Sequence, residues 1–107
     1  AKLRYRLGAG PVVVASDPAH GGWAYGFVRA SAGPARQVFV QRATSTGRPA
    51  GTARMVSQPG HRAAEPLVTA TGGGMLLAGW TDTEIVCDAG GGCVSGAASV
   101  RTRLIRP

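Results

Sequence analysis

Apolar and polar residues alternate with a period of two in part of this chain. Leu3-Arg4-Tyr5-Arg6-Leu7 does so over five positions, the signature of a half-buried strand. Val12-Val13-Val14-Ala15 follows, then Trp23-Ala24-Tyr25-Gly26-Phe27-Val28, with three aromatics on one face and small residues on the other. Gln37–Arg42 predicts another strand, and Ala53–Ser57 a weaker one at an edge. The longest patterned stretch runs from Glu65 to Asp82: one strand, a glycine turn at Gly72-Gly73-Gly74, and a second strand apolar on both faces that closes on Trp80. Glu84–Cys87 and Ser99–Ile105 complete the set. Between them lie segments of turn composition: Gly8–Pro11, Ser16–Gly22, Ser31–Pro34, Thr44–Thr52, Gln58–His61 and Asp88–Gly92. No segment carries helical periodicity with a cap, so the fold class expected is all-β, in short antiparallel strands.

The pattern repeats. Pro11-Val-Val13-Val-Ala15 matches Pro66-Leu-Val68-Thr-Ala70 at a spacing of about 55 residues. After each come a glycine turn, an apolar strand with tryptophan, and a strand with basic residues. Leu3–Leu7 also resembles Val100-Arg101-Thr102-Arg103-Leu104 almost position for position. Units of about 10–57 and 65–107 within a single module 1–107 are expected, each of three to four strands, the size of a propeller blade.

Pro66-x-Val68 before Gly73-Gly74-Met-Leu-Leu-Ala-Gly-Trp80-x-Asp82, and Val38-x-Val40-x-Arg42 before Gly47-Arg-Pro49, resemble the degenerate repeats of secreted bacterial sialidase-like β-propellers. The resemblance spans nearly the whole chain as about two blades. The aspartate-box pattern Ser-x-Asp-x-Gly-x-x-Trp and an arginine–tyrosine–carboxylate site are absent, so the resemblance implies the fold and not hydrolysis. Two blades do not close a ring; the chain is expected to be part of a larger propeller or to assemble from copies. The alternative by strand count is an immunoglobulin-like β-sandwich or a small barrel.

Composition sharpens this picture. With 44% apolar residues the chain can build a core despite 17 glycines and 7 prolines. Eleven arginines against the lone Lys2, and no asparagine, point to a GC-rich bacterial coding sequence. The net charge of +7 favours acidic partners. No apolar run reaches the roughly 20 residues of a membrane-spanning helix. A chain that starts at Ala1 is read as processed, and a secreted, periplasmic or cell-surface location is expected.

Cys87 and Cys93 flank five residues, three of them glycine, which in a secreted chain reads as a disulfide closing a hairpin loop. Such a loop contributes about 2 kcal/mol by chain entropy. Asp82, Glu84 and Asp88 gather three of the five acids beside that loop, a candidate binding loop or a solvated hairpin tip. Arg4, Arg6, Arg101, Arg103 and Arg106 form a candidate basic face. Trp23 and Trp80 are candidates for stacking on a sugar ring, with core packing as the competing reading. Ser16-Asp17-x-x-His20 lacks a nucleophile elbow and is explained by a Ser-Asp-Pro turn. No catalytic residue, metal site or cofactor is expected. The function expected is a non-enzymatic interaction or structural module binding a protein partner or its own copies, with a carbohydrate binder and a basic nucleic-acid-binding barrel as alternatives.

Overall fold

A computed structural model describes residues 12–30 and 33–107, and its order of elements is all-β. The strands are β1 (Val12–Asp17), β2 (Gly22–Ala30), β3 (Arg36–Ala43), β4 (Pro49–Met55), β5 (Arg62–Ala70), β6 (Leu76–Cys87) and β7 (Cys93–Ile105). Single 3-10 turns, Pro18–His20 and Gly72–Gly74, join β1 to β2 and β5 to β6. The sequence pattern thus yields two antiparallel meanders, β1-β2-β3-β4 and β5-β6-β7. A single parallel contact, Arg36 beside Arg62, joins them into one open mixed sheet. The Leu3–Leu7 strand expected from the sequence lies outside the described residues.

The outer edge of β3 is served in three sections. β4 pairs with its end from Phe39 to Ala43. Beyond β4, Val56 N–H donates to the Val38 carbonyl (2.9 Å), and Val38 N–H donates to Ser57 Oγ (2.8 Å). Finally Arg36 N–H donates to the His61 carbonyl (3.1 Å), where β5 begins. Buried backbone donors and acceptors must find partners, and this relay supplies them while the chain crosses from one meander to the other.

The second meander then lies across the face of the first. Ala24, Val38 and Val40 meet Ala63, Leu76, Ala78, Trp80 and Ile105 in the main core, with Val28 and Val68 packed against it. Gly26 makes this approach close: a Cβ there would stand 3.0 Å from Val13 Cγ2 and 3.6 Å from Val68 Cγ1. On the opposite face of β2 and β3, Tyr25, Phe27 and Ala43 form a second cluster with Phe39 and Ala53. The Phe27 and Phe39 rings stack at 5.9 Å, and the Arg29 guanidinium sits 5.0 Å from each ring centre.

Several boundaries differ from the alternation pattern. β4 starts at Pro49, inside a stretch of turn composition, and ends at Met55. Its residues bury little, so ladder bonds to β3 hold it. β5 starts three residues before Glu65 and carries a bulge between Ala64 and Leu67, where Glu65 adopts a left-handed φ of 53°. The strand ending on Trp80 and the run Glu84–Cys87 are one twelve-residue strand, and β7 begins at Cys93 instead of Ser99. The small residues between Cys93 and Ser99 offer no apolar alternation, but they continue the β6–β7 ladder to its last pair, Cys87 opposite Cys93.

Candidate functional site

Three features combine exposure or polarity with definite geometry. The largest is the outer face of the second meander. Register places Leu67, Leu77, Gly79, Thr81, Val100, Thr102 and Leu104 on one side of β5, β6 and β7. Opposite side chains across a sheet pair turn this register into a continuous surface. Its apolar members are exposed, Val100 at 77% and Leu67 at 68%. β7, of thirteen residues, is exposed along its length except Ile105 and ends the described sheet order. Among the described residues no strand pairs with its outer row of backbone groups, the kind of edge that accepts a further strand.

The second feature gathers at the two 3-10 turns. Asp17, only 1% exposed, holds its Oδ1 3.1 Å from His20 Nδ1 and its Oδ2 against Arg42 Nη1. Arg42 Nη2 donates to the Gly74 carbonyl at 3.1 Å and to the Arg106 carbonyl at 3.4 Å. One guanidinium thus ties β3 to both turns and to the end of β7. Burial pushes the Asp17 carboxyl up, but the hydrogen bonds from His20 and Arg42, with their positive charge, outweigh it and hold the group below its ordinary value. Arg42 also lines a cleft of about 440 Å³ with Arg54, Leu76 and Arg106. Ser16 is exposed, and no hydrogen bond joins it to His20 or Asp17.

The third is a cleft of about 350 Å³ lined by Ser57, Pro59, Trp80, Asp82, Arg101 and Arg103. Asp82 is buried, its Oδ2 2.7 Å from His61 Nδ1, while its Oδ1 and the Trp80 Nε1 have no partner among the described residues. Ser57 Oγ donates to Gln37 Oε1 at 3.0 Å and closes the floor toward β3.

The residues singled out from sequence separate. Cys87 and Cys93 are joined by a disulfide, their Cα atoms 4.0 Å apart. The acidic trio does not form one loop. Asp82 points inward to His61, Glu84 lies exposed on β6, and only Asp88 is in the tip. There its Oδ1 accepts from Gly90 N–H (3.0 Å) and Gly92 N–H (2.9 Å), so it shapes the turn. Arg101 and Arg103 share the Trp80 cleft, Arg106 lines the other, and Arg4 and Arg6 lie outside the described residues. Trp80 is 6% exposed, in keeping with core packing, the competing reading for that residue. Trp23 is 41% exposed with its Nε1 donating to the Ser45 carbonyl at 3.4 Å, the reverse of a core assignment. Among the described residues no three His, Cys, Asp or Glu side chains gather as metal ligands, and no helix is long and apolar enough to cross a membrane.

Arg42 and His61 carried no signal of their own in the sequence, since their partners lie 25 and 21 residues away. The outer face of the second meander was legible only as apolar content, not as exposure. No known family model matches the chain, and neither the curated proteins nor the solved structures contain a match to it.

Proposed function

We propose that this chain is a non-enzymatic, extracytoplasmic interaction and structural module built of propeller-blade-like repeats, acting as a subunit of an assembly. The observation that carries the reading is the exposed apolar face Leu67–Leu77–Val100–Leu104 beside the edge of β7, which no described strand pairs. Isolated apolar residues on a surface need no explanation, but a contiguous apolar sheet face marks an interaction site. Arg101 and Arg103 lie on the other face of β7, in the Trp80 cleft, and give that strand a basic character that favours an acidic partner. Two meanders, each opened by a hairpin with a 3-10 turn, support the blade-like reading. The disulfide is compatible with an oxidising compartment.

A Leu67→Asp/Val100→Asp variant tests it. Both side chains are exposed, so the thermal melt should stay within a few degrees of the parent. The native mass should fall to the 10.8 kDa of one chain, or a partner present in stoichiometric amount should be lost. A parent protein that stays a monomer without a partner overturns the reading. Carbohydrate binding rests on the exposed indole of Trp23; unchanged tryptophan fluorescence on titration with sugars removes it.

A further inference from the structure

The two meanders answer each other residue for residue around one glycine. Gly21 and Gly74 each stand at the end of a 3-10 turn with positive φ, 68° and 78°. Counting on from them, Ala24-Tyr25-Gly26-Phe27 corresponds to Leu77-Ala78-Gly79-Trp80. Strand pairing extends the match and corrects by one residue the sequence repeat, which sets Val13 against Val68: Val13 opposite Gly26 corresponds to Leu67 opposite Gly79, and Val14 opposite Tyr25 to Val68 opposite Ala78. Val38 and Val40 likewise correspond to Val100 and Thr102.

This correspondence reveals a socket and a plug. In the first meander the socket is Gly26, and the plug that fills it is Val68 of the second. The socket's wall, Val38, is wholly buried as a result. In the second meander the corresponding socket, Gly79, is open. A Cβ there would meet nothing nearer than Arg101 O at 3.7 Å and Thr102 Cγ2 at 3.8 Å. Nothing among the described residues requires glycine at that position. Its wall, Val100, is 77% exposed. The plug corresponding to Val68 is Val14, 56% exposed on the other side of the molecule. Trp23, which corresponds to the wholly buried Leu76, is exposed on that same side.

From this we infer that a second copy of the chain packs head to tail on the first. Val14 of one copy seats over Gly79 of the next, as Val68 seats over Gly26 within each. The inference rests on the interaction-module reading above and names its partner. The contact is heterologous, because socket and plug are different surfaces, so it closes into a ring if the rotation per copy permits. The internal contact between meanders is the template for the contact between copies. The chain supplies both halves, each with its apolar residues in water.

The test uses two single variants and their mixture, read by light scattering on a sizing column. Gly79→Val fills the socket with a side chain that has room in the monomer and suits a strand. Val14→Asp places a charge on the plug, at an exposed position. The parent should run as a multiple of 10.8 kDa, and each variant alone as a monomer with an unchanged melt. Mixed, the intact plug of Gly79→Val should seat in the intact socket of Val14→Asp, giving a species of two chains. A monomeric parent overturns the inference, and so does an assembly that survives both variants. If the assembly is lost in each variant but the mixture fails to form the two-chain species, the contact is not head to tail and the inference falls. A parent that is monomeric yet binds a different protein through Leu67 and Val100 overturns only the self-assembly, leaving the module reading intact.

Discussion

Replacing Arg42 by methionine isolates the tie between the two hairpin turns. Methionine keeps most of the aliphatic stem and removes the guanidinium, leaving the Asp17 carboxylate buried with His20 as its remaining side-chain partner. Breaking a buried ion pair by removing one partner costs about 3–5 kcal/mol, because the other charge stays out of water. The Arg42 side chain is 19% exposed and Asp17 2%, which places the cost near about 3 kcal/mol on that scale. Urea denaturation at pH 7, followed by tryptophan fluorescence, measures it directly. Asp17→Asn in the Arg42→Met background removes the stranded charge and should recover much of the loss, giving a coupling energy of about 1–3 kcal/mol in the double-mutant cycle. The sign of the pH dependence follows from the lowered Asp17 group. Its stabilisation is present above the carboxyl's unfolded value of about 4 and is lost as pH falls through the folded one. The gap between parent and Arg42→Met should therefore be widest at neutral pH and shrink on acidification below about 4. A loss under about 1 kcal/mol at pH 7, the range of an exposed ion pair, would refute the buried-tie argument.

Three further outcomes are expected. Glu65 holds a left-handed φ before Pro66, so Glu65→Gly should be neutral or stabilise by up to about 1 kcal/mol, whereas Glu65→Val should destabilise; equal losses in both would remove strain as the cause. Cys87→Ser/Cys93→Ser should raise amide exchange from Val86 to Val94 while leaving Leu76 and Ala78 protected, because the disulfide closes the tip and the core lies at the other end of β6. Acrylamide should quench Trp23 and spare Trp80: in Trp23→Phe the emission should be blue-shifted and poorly quenched, and efficient quenching there would contradict the burial of Trp80.

Local alternation made much of this fold readable. The short strands, the glycine turns and the disulfide all depend on residues close in sequence. What escaped depends on partners. β4 buries almost nothing, and its Pro-Ala-Gly-Thr start has turn composition, so only the unpaired edge of β3 makes it a strand. Asp82 reads as part of an acidic loop until β6 is seen to run on to Cys87, which keeps it inside the sheet facing His61. The two tryptophans are indistinguishable in one dimension; which is buried depends on the second meander covering one face of the first. For the same reason Gly79 reads as a mere small residue, and only its counterpart Gly26 shows what its missing side chain admits.

The ladders themselves join sequence neighbours, and the meanders meet through one parallel contact and their faces. Hairpins with such short separations zip early, before long-range closure is repaid. Each meander should therefore gain its strands while Val38, Leu76 and Trp80 are still wet, and docking should be the slow, committing event. At that moment a neighbouring chain's second meander competes for the seat over Gly26 with the chain's own. The six-residue tether from Val56 to His61 that keeps the two meanders together thus acts as a concentration term, and lengthening it would trade intramolecular closure for exchange between chains.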